Sequence, residues 1–344
     1  MSEQMEDKPR NQRRQFLRGA VAGGALVGTA LVASAPAEAR ENLQMSPDAM
    51  GLLYDATLCV GCKACVAACK RENAVNGAEP EFTTTEQPYW DTPLDTSAKT
   101  FNIIKMYRNG TMQNKDQEKD GYSFMKISCL HCVDPSCISA CPVTAMTKDP
   151  KTGIVAYNKD ACIGCRYCVA ACPFGIPKWD YDSPFGKIGK CELCRHRAKD
   201  GKYSACAEVC PTGATLYGKV SDLKAEAKKR MAAKPGSKFQ FQRGDINGKD
   251  QRWEGEIGTY QQHLYGEKEI GGTQVIKLSA VPFEKVGMPK LPDVSPASRS
   301  ENIQHTLYGN MLALPIAVTA GLAFLINRNK KSGAEDDAAD KKGE

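Results

Sequence analysis

Two long apolar stretches lie near opposite ends of the chain, and shorter ones are scattered between them. The first, Ala20 to Ala33, is too short to span a bilayer. It follows Gln12-Arg13-Arg14-Gln15-Phe16-Leu17-Arg18 and leads into small residues ending in Ala37-Glu38-Ala39. A basic, apolar and small-residue order of this kind predicts a cleaved signal over 1–39 rather than a structural helix. The paired arginines match the address read by the twin-arginine export machinery. The second stretch, Leu307 to Ile326, is interrupted only by Tyr308, Asn310, Pro315 and small residues. Twenty helical residues reach roughly 30 Å, about the thickness of the hydrocarbon core. The pattern therefore predicts one transmembrane helix over 305–327, and Pro315 predicts a kink that a multi-spanning neighbour could cover. Arg328, Lys330 and Lys331 follow at once. By the positive-inside bias the charged tail 328–344 is cytoplasmic, and the bulk of the chain sits on the periplasmic side of an inner membrane.

Between these ends the apolar positions come in short runs. Gly51-Leu52-Leu53-Tyr54 and Ile154-Val155-Ala156-Tyr157 read as strands, each with its Tyr five residues before a cysteine. Met146 to Lys148, the turn Asp149-Pro150-Lys151-Thr152-Gly153 and Ile154 to Tyr157 predict a hairpin. Phe101 to Tyr107 is the one strand-like run in an otherwise polar insertion, assigned to 71–125. Lys224, Lys228, Lys229 and Arg230 fall at helical spacing with alanines between, which predicts a solvated basic face. The Gly-, Lys- and Pro-rich stretch 221–304 reads as an extended arm ending in a linker. These patterns predict an α+β chain with its chemistry in a domain over 40–220.

Composition changes that picture at one point. The chain has 344 residues, 42% hydrophobic and 25% charged, enough to bury a core. It holds 16 cysteines but only 4 histidines and 3 tryptophans, so imidazole chemistry starts at a disadvantage. The net charge of +6 invites a nucleic-acid reading. No clustered basic face supports it, so no nucleic acid is expected among the partners. No nucleophile–base pair and no Gly-rich phosphate loop is present, which speaks against catalysis by this chain alone.

All 16 cysteines fall into four groups of four. The first is Cys59-x2-Cys62-x2-Cys65-x3-Cys69, and the second Cys129-x2-Cys132-x4-Cys137-x3-Cys141-Pro142. The third is Cys162-x2-Cys165-x2-Cys168-x3-Cys172-Pro173, and the fourth Cys191-x2-Cys194-x11-Cys206-x3-Cys210-Pro211. The first and third match the bacterial [4Fe–4S] run. Two-residue gaps let one loop fold three thiolates around a cubane while its amides point at the sulfides. A turn of helix then carries the fourth cysteine away, toward another cluster, and proline stops the helix. Structural zinc uses paired C-x2-4-C knuckles and does not account for the third cysteine or the Cys-Pro exit. Disulfides suit an exported chain, yet cysteines two residues apart make poor partners for one another. The groups thus predict four [4Fe–4S] clusters. With about −2 for each cluster and its thiolates, the segment between signal and tail falls to about −3. Groups two and three lie 20 residues apart and groups three and four 18 apart, so spacing does not decide which cysteines share a cluster.

On these four groups the chain resembles the four-cluster iron–sulfur subunits of membrane-bound oxidoreductases, such as formate dehydrogenase, dimethyl sulfoxide reductase and hydrogenase-2. The broad resemblance covers residues 50–220. Toward the ferredoxin-like subunit of hydrogenase-2 it extends over nearly the full length, through Leu53 to Cys62, Lys190 to Cys194, His263 to Lys268 and Ser300 to Tyr308. It implies tandem bacterial-ferredoxin-like modules with nested ligation. Cys59, Cys62, Cys65 and Cys210 would hold one cluster, and Cys69, Cys191, Cys194 and Cys206 its neighbour. Cys129, Cys132, Cys137 and Cys172 would hold a third, and Cys141, Cys162, Cys165 and Cys168 a fourth. It also implies partners: nickel–iron large and iron–sulfur small hydrogenase subunits, and a multi-spanning quinone-reactive membrane subunit. The implied role is electron relay, with an iron–sulfur subunit of a molybdopterin enzyme as the alternative. The first group has Lys70 where the other three have proline, which leaves its exit open. His131, between two implied ligands, reads as a satisfied or exposed histidine, and His305 as an interfacial bystander.

Overall fold

The structure is a computed structural model that describes residues 40–73, 94–248, 252–304, 315–316 and 318–328. The expected signal and cytoplasmic tail lie outside the described residues, apart from Arg328, and so does His305. Glu41–Ser298 forms one compact unit, and Met1–Arg40 with Arg299–Glu344 another.

Among the described residues, strands β1 (Met50–Asp55), β2 (Asn102–Arg108), β3 (Asn114–Lys115) and β4 (Gly121–Ser128) come first. They are followed by β5 (Met146–Lys148), β6 (Val155–Tyr157), β7 (Lys178–Trp179), β8 (Ile188–Gly189) and β9 (Thr215–Lys219). The last are β10 (Lys238–Gln242), β11 (Gly244–Asp245), β12 (Arg252–Glu256) and β13 (Val275–Leu278). The central sheet has the order β11-β9-β1-β13. In β1, Leu52, Leu53 and Tyr54 are all buried, because both faces of the strand are covered. Leu53 stands opposite Leu216 of antiparallel β9 and opposite Ile276 of parallel β13.

The extended arm expected over 221–304 is corrected by this sheet. Through Ser298 those residues belong to the compact unit, and β13 is buried along its whole length beside β1. Three apolar residues and a lysine in a Gly- and Lys-rich context carry too little periodicity to be read as a strand. Only pairing with β1, far upstream in the chain, makes them one. The basic run is corrected at one position. The helix Val220–Ala232 buries Val220, Leu223, Ala227 and Arg230, while Lys228 and Lys229 stay exposed. Arg230 Nη1 lies 3.0 Å from Asp55 Oδ2 and its Nε 2.9 Å from Glu226 Oε1, with the guanidinium over the Phe241 ring. Asp55, at the end of β1, supplies the counter-charge that a buried guanidinium requires.

The expected insertion is structured where it is described. β4 pairs antiparallel with β2 from Asn102 opposite Ser128 to Arg108 opposite Tyr122. Tyr54 Oη donates to the Phe124 carbonyl at 2.9 Å, so this sheet is fastened to β1. The hairpin is present as β5 and β6, with Met146 opposite Tyr157. Its turn is held by Asp149 Oδ1, which accepts the N–H groups of Lys151 and Thr152 at 3.0 and 2.6 Å. Gln274 Nε2 donates to the carbonyls of Met50 (2.6 Å) and Thr152 (2.9 Å), tying the hairpin to the central sheet.

Short helices follow the cysteine runs: Ala64–Glu72, Ser136–Ser139, Tyr167–Ala171 and Ala205–Glu208. The last three stop before Cys141, Cys172 and Cys210, since the residue preceding proline is pushed out of the helical region. Lys70 imposes no such stop, so the first helix runs through Cys69 to Glu72. Among the described residues no helix is long and apolar enough to cross a membrane. Of the expected span, 305–314 and 317 lie outside the described residues, and 315–316 and 318–327 are helical.

Candidate metal centres

In the first Cys-x2-Cys of each group the residue just before the second cysteine adopts a left-handed backbone: Gly61 (φ 70°), His131 (49°), Gly164 (77°) and Leu193 (51°). Such alternation turns successive N–H groups inward and makes a concavity for an anion. Gly61 N–H points to Cys59 Sγ at 3.4 Å and Leu193 N–H to Cys191 Sγ at 3.4 Å. The exit turns repeat the device at Thr144, Gly175 and Gly213, three residues after Cys141, Cys172 and Cys210. There Ala145 N–H approaches Cys141 Sγ at 3.2 Å. Burial works against the Cys141 thiolate, but the amides of Met146, Val143, Ala145 and Thr144 outweigh it and hold its pKa below the ordinary thiol value.

The loops and exits bring the sixteen cysteines together in four quartets, each made of three cysteines from one run and the last of another. Cys59, Cys62, Cys65 and Cys210 line a cavity beside Tyr54, Ile104 and Ala214. Cys69, Cys191, Cys194 and Cys206 line another, with Asn102, Lys126, Ser128 and Ser204 in its wall. Cys141, Cys162, Cys165 and Cys168 line a third, with Tyr157 and Ala145. Cys129, Cys137 and Cys172 are grouped around Cys132, whose thiol their charges push up after burial has done most of the work. We call these quartets A, B, D and C respectively. The Tyr five residues before a cysteine run thus does the same job twice, since Tyr54 walls quartet A and Tyr157 quartet D.

The quartets also stand in a definite succession. Cys65 of A lies within the electrostatic reach of Cys206 of B, Cys191 of B within that of Cys129 of C, and Cys137 of C within that of Cys168 of D. Exposure varies along this row. Three cysteines of B are buried, whereas Cys165 of D is exposed. Near Cys165, Ile163 and Tyr167 are exposed as well, and Arg166 lies over the rings of Trp179 and Tyr181.

All sixteen cysteines are unbridged. Two physical features of the quartets fit an iron–sulfur cluster. First, burial and mutual repulsion raise several of the thiols, among them Cys69 and Cys137 to about 12 and Cys168 to about 11. Thiolates crowded together in such places therefore coexist only around a positive core, which an iron cluster supplies on releasing their protons. Second, several buried side-chain atoms lack a hydrogen-bond partner, and four of them, Asn102 Oδ1, Lys126 Nζ, Ser128 Oγ and Ser204 Oγ, wall the cavity of quartet B. An ammonium and two hydroxyls left unsatisfied there face a space suited to sulfide and thiolate acceptors. Among the described residues, no set of three or more His, Cys, Asp or Glu side chains stands as close as a single ion would require.

Several residues around the quartets are not marked by the cysteine pattern. Phe124, Lys126 and Ser128 share one face of β4 through its two-residue period. Phe124 packs against the position of Gly61 in A, whereas Lys126 and Ser128 wall B. A lysine inside the otherwise apolar run Phe124-Met125-Lys126-Ile127 is the signal that could have found it. Burial disfavours the Lys126 ammonium, but the thiolates of Cys206 and Cys65 outweigh that and hold its pKa above the ordinary range. Asn73, the C-cap of the first helix, donates to Cys69 Sγ at 3.7 Å and Cys194 Sγ at 3.9 Å. His131 is fully buried, and its Nδ1 accepts the Val155 N–H at 3.0 Å. Burial, with Lys190 and Lys148 nearby, holds its pKa well below the usual value, so it is a neutral wall residue.

Residues 121–220 match the model of the 4Fe-4S dicluster domain. The chain is 48% identical to the Hydrogenase-2 operon protein HybA of Escherichia coli O157:H7, over 95% of this chain and 98% of that protein. It is 29% identical to the formate dehydrogenase iron-sulfur subunit of Haemophilus influenzae over 79% of this chain and 77% of that one. With the nitrate-inducible formate dehydrogenase iron-sulfur subunit of Escherichia coli K12 it shares 35% identity over 52% of this chain and 58% of that one. On its cysteine quartets and its near full-length identity, the chain belongs to the family of the hydrogenase-2 operon protein HybA.

Proposed function

We propose that this chain relays single electrons through four [4Fe–4S] clusters, from a nickel–iron hydrogenase to a quinone-reactive membrane subunit. The observation that carries the reading is the succession of quartets A, B, C and D, each placed next to the following one. The cysteines of A, B, C and D each hold one cluster. When bound, the clusters supply one-electron oxidation and reduction. The left-handed turns aim amides at the sulfurs, the exit helices pass the fourth cysteine to a neighbouring quartet, and the apolar walls exclude water. Hydrogen oxidation itself belongs to the large and small hydrogenase subunits. In the same reading, 1–39 is a twin-arginine signal and 305–327 anchors the chain in the inner membrane. The cluster domain then lies in the periplasm and the tail 328–344 in the cytoplasm.

Two measurements on anaerobically purified protein test this. Iron and acid-labile sulfide are expected at four of each per quartet, with low-temperature EPR signals on reduction. An iron-free, colourless chain overturns the reading. Detergent extraction is expected to bring down nickel with the chain. Molybdenum in its place would favour the second reading, an iron–sulfur subunit of a molybdopterin enzyme, which the formate dehydrogenase relatives keep in view.

A further inference from the structure

Lys126 is only 2% exposed, and among the described residues its Nζ has no hydrogen-bond partner. It projects from the face of β4 that borders quartets A and B, into the wall of the B cavity. Its charge acts on Cys206 and Cys191 of B and on Cys65 of A. Among the described residues no carboxylate forms an ion pair with it. Glu192, in the same wall, already accepts the Tyr157 N–H at 2.8 Å and Arg195 Nε at 2.6 Å. The next lysine inward, Lys277, directs its Nζ to the Lys126 carbonyl at 2.5 Å and adds a second amine rather than a counter-charge. A buried charge requires a partner, and the partners within reach here are the thiolates of two adjacent quartets and what they hold.

We propose that Lys126 is a potential-setting residue: its ammonium, placed between quartets A and B, favours the reduced state of the clusters held there and raises their potentials. Adding one electron makes a site of about −2 more negative by one charge, with no bond or proton moved. A fixed cation in a low-dielectric wall stabilises that added charge more than it would in water. Lys126 thereby makes the A–B end of the relay easier to reduce. The inference rests on the four-cluster reading and fails separately from it. Wild-type protein without iron ends that reading, whereas iron-replete protein with unmoved potentials ends only this inference.

The test is an EPR-monitored redox titration of the full chain, iron-replete, with Lys126→Met, Lys126→Gln and Lys126→Arg. Both neutral variants are expected to lower the potential of one or two of the cluster signals. The reduction equilibrium should fall at least tenfold, which is about 59 mV for one electron. Lys126→Arg should keep wild-type values. Loss of iron in the neutral variants, with Lys126→Arg fully loaded, also supports the proposal, since the charge is then needed for the site to fill. Unchanged potentials in iron-replete neutral variants overturn it. So does a shift in Lys126→Arg as large as in Lys126→Met, or loss of iron in all three.

Discussion

At the scale of single residues, the geometry of the quartets depends on a few left-handed positions as much as on the cysteines. Gly61 and Gly164 occupy equivalent places in two loops, yet a methyl group at each would meet different surroundings. At Gly61 it would lie 2.4 Å from the buried Phe124 ring, and at Gly164 2.9 Å from the edge of half-buried Trp179. Both alanine variants bear the left-handed penalty of about 1–2 kcal/mol, but only Trp179 has room to move. Gly61→Ala is expected to lose iron equal to one cluster, and Gly164→Ala to keep its full complement, as read by iron analysis. His131 and Leu193 take the same backbone without glycine. Their loops bear that penalty, so glycine alone is an incomplete marker of the turn.

At the scale of elements, β4 and β13 do what their sequences do not advertise. Each carries a lysine in a buried strand, and each packs next to β1 or the cysteine loops. Lys277 of β13 illustrates the consequence. Burial, with Lys126 nearby, lowers its pKa to about 7, against an unfolded value of about 10.4. Between those values the unfolded chain binds more protons than the folded one, so this group makes stability rise with pH across that window. Below about pH 7 it is charged in both states and its burial penalty is at its full value. Lys277→Leu is expected to flatten the pH dependence of the melting temperature between pH 7 and 10. It should leave the protein at least as stable at pH 7, because an apolar replacement of a buried charge is commonly neutral or stabilising. Calorimetry across that range checks both. A variant with the wild-type slope would show that the titrating group lies elsewhere.

At the scale of the whole molecule, the cysteine domain does not end where the cysteines end. β1 requires β13 on one side, and the helix Val220–Ala232 seals Asp55 with Arg230. The antiparallel pair β10–β12 covers the same region, with Trp253 Nε1 donating to the Thr212 carbonyl at 3.1 Å beside quartet A. A chain cut after residue 220 is therefore expected to be insoluble or iron-poor although it keeps all sixteen cysteines. A chain ending at Ser298 should load iron fully. Iron-to-protein ratios of the two products decide this, and full loading of the shorter one would show that the quartets assemble without the rest of the sheet.

The cysteine groups, the Cys-Pro exits, the repeated Tyr before a run and the β5–β6 hairpin are legible in the sequence, because each is a local pattern with a short-range physical cause. Spacing within a run states that a loop can surround a cluster, and a proline states where a helix stops. What no local pattern contains is which runs exchange their last cysteine, the order of the quartets, the burial of Lys126 and Arg230, or the role of Val275–Leu278 as a core strand. Those depend on contacts between segments far apart in the chain. A four-residue strand or a lone buried cation acquires its meaning only from the surface it meets on folding.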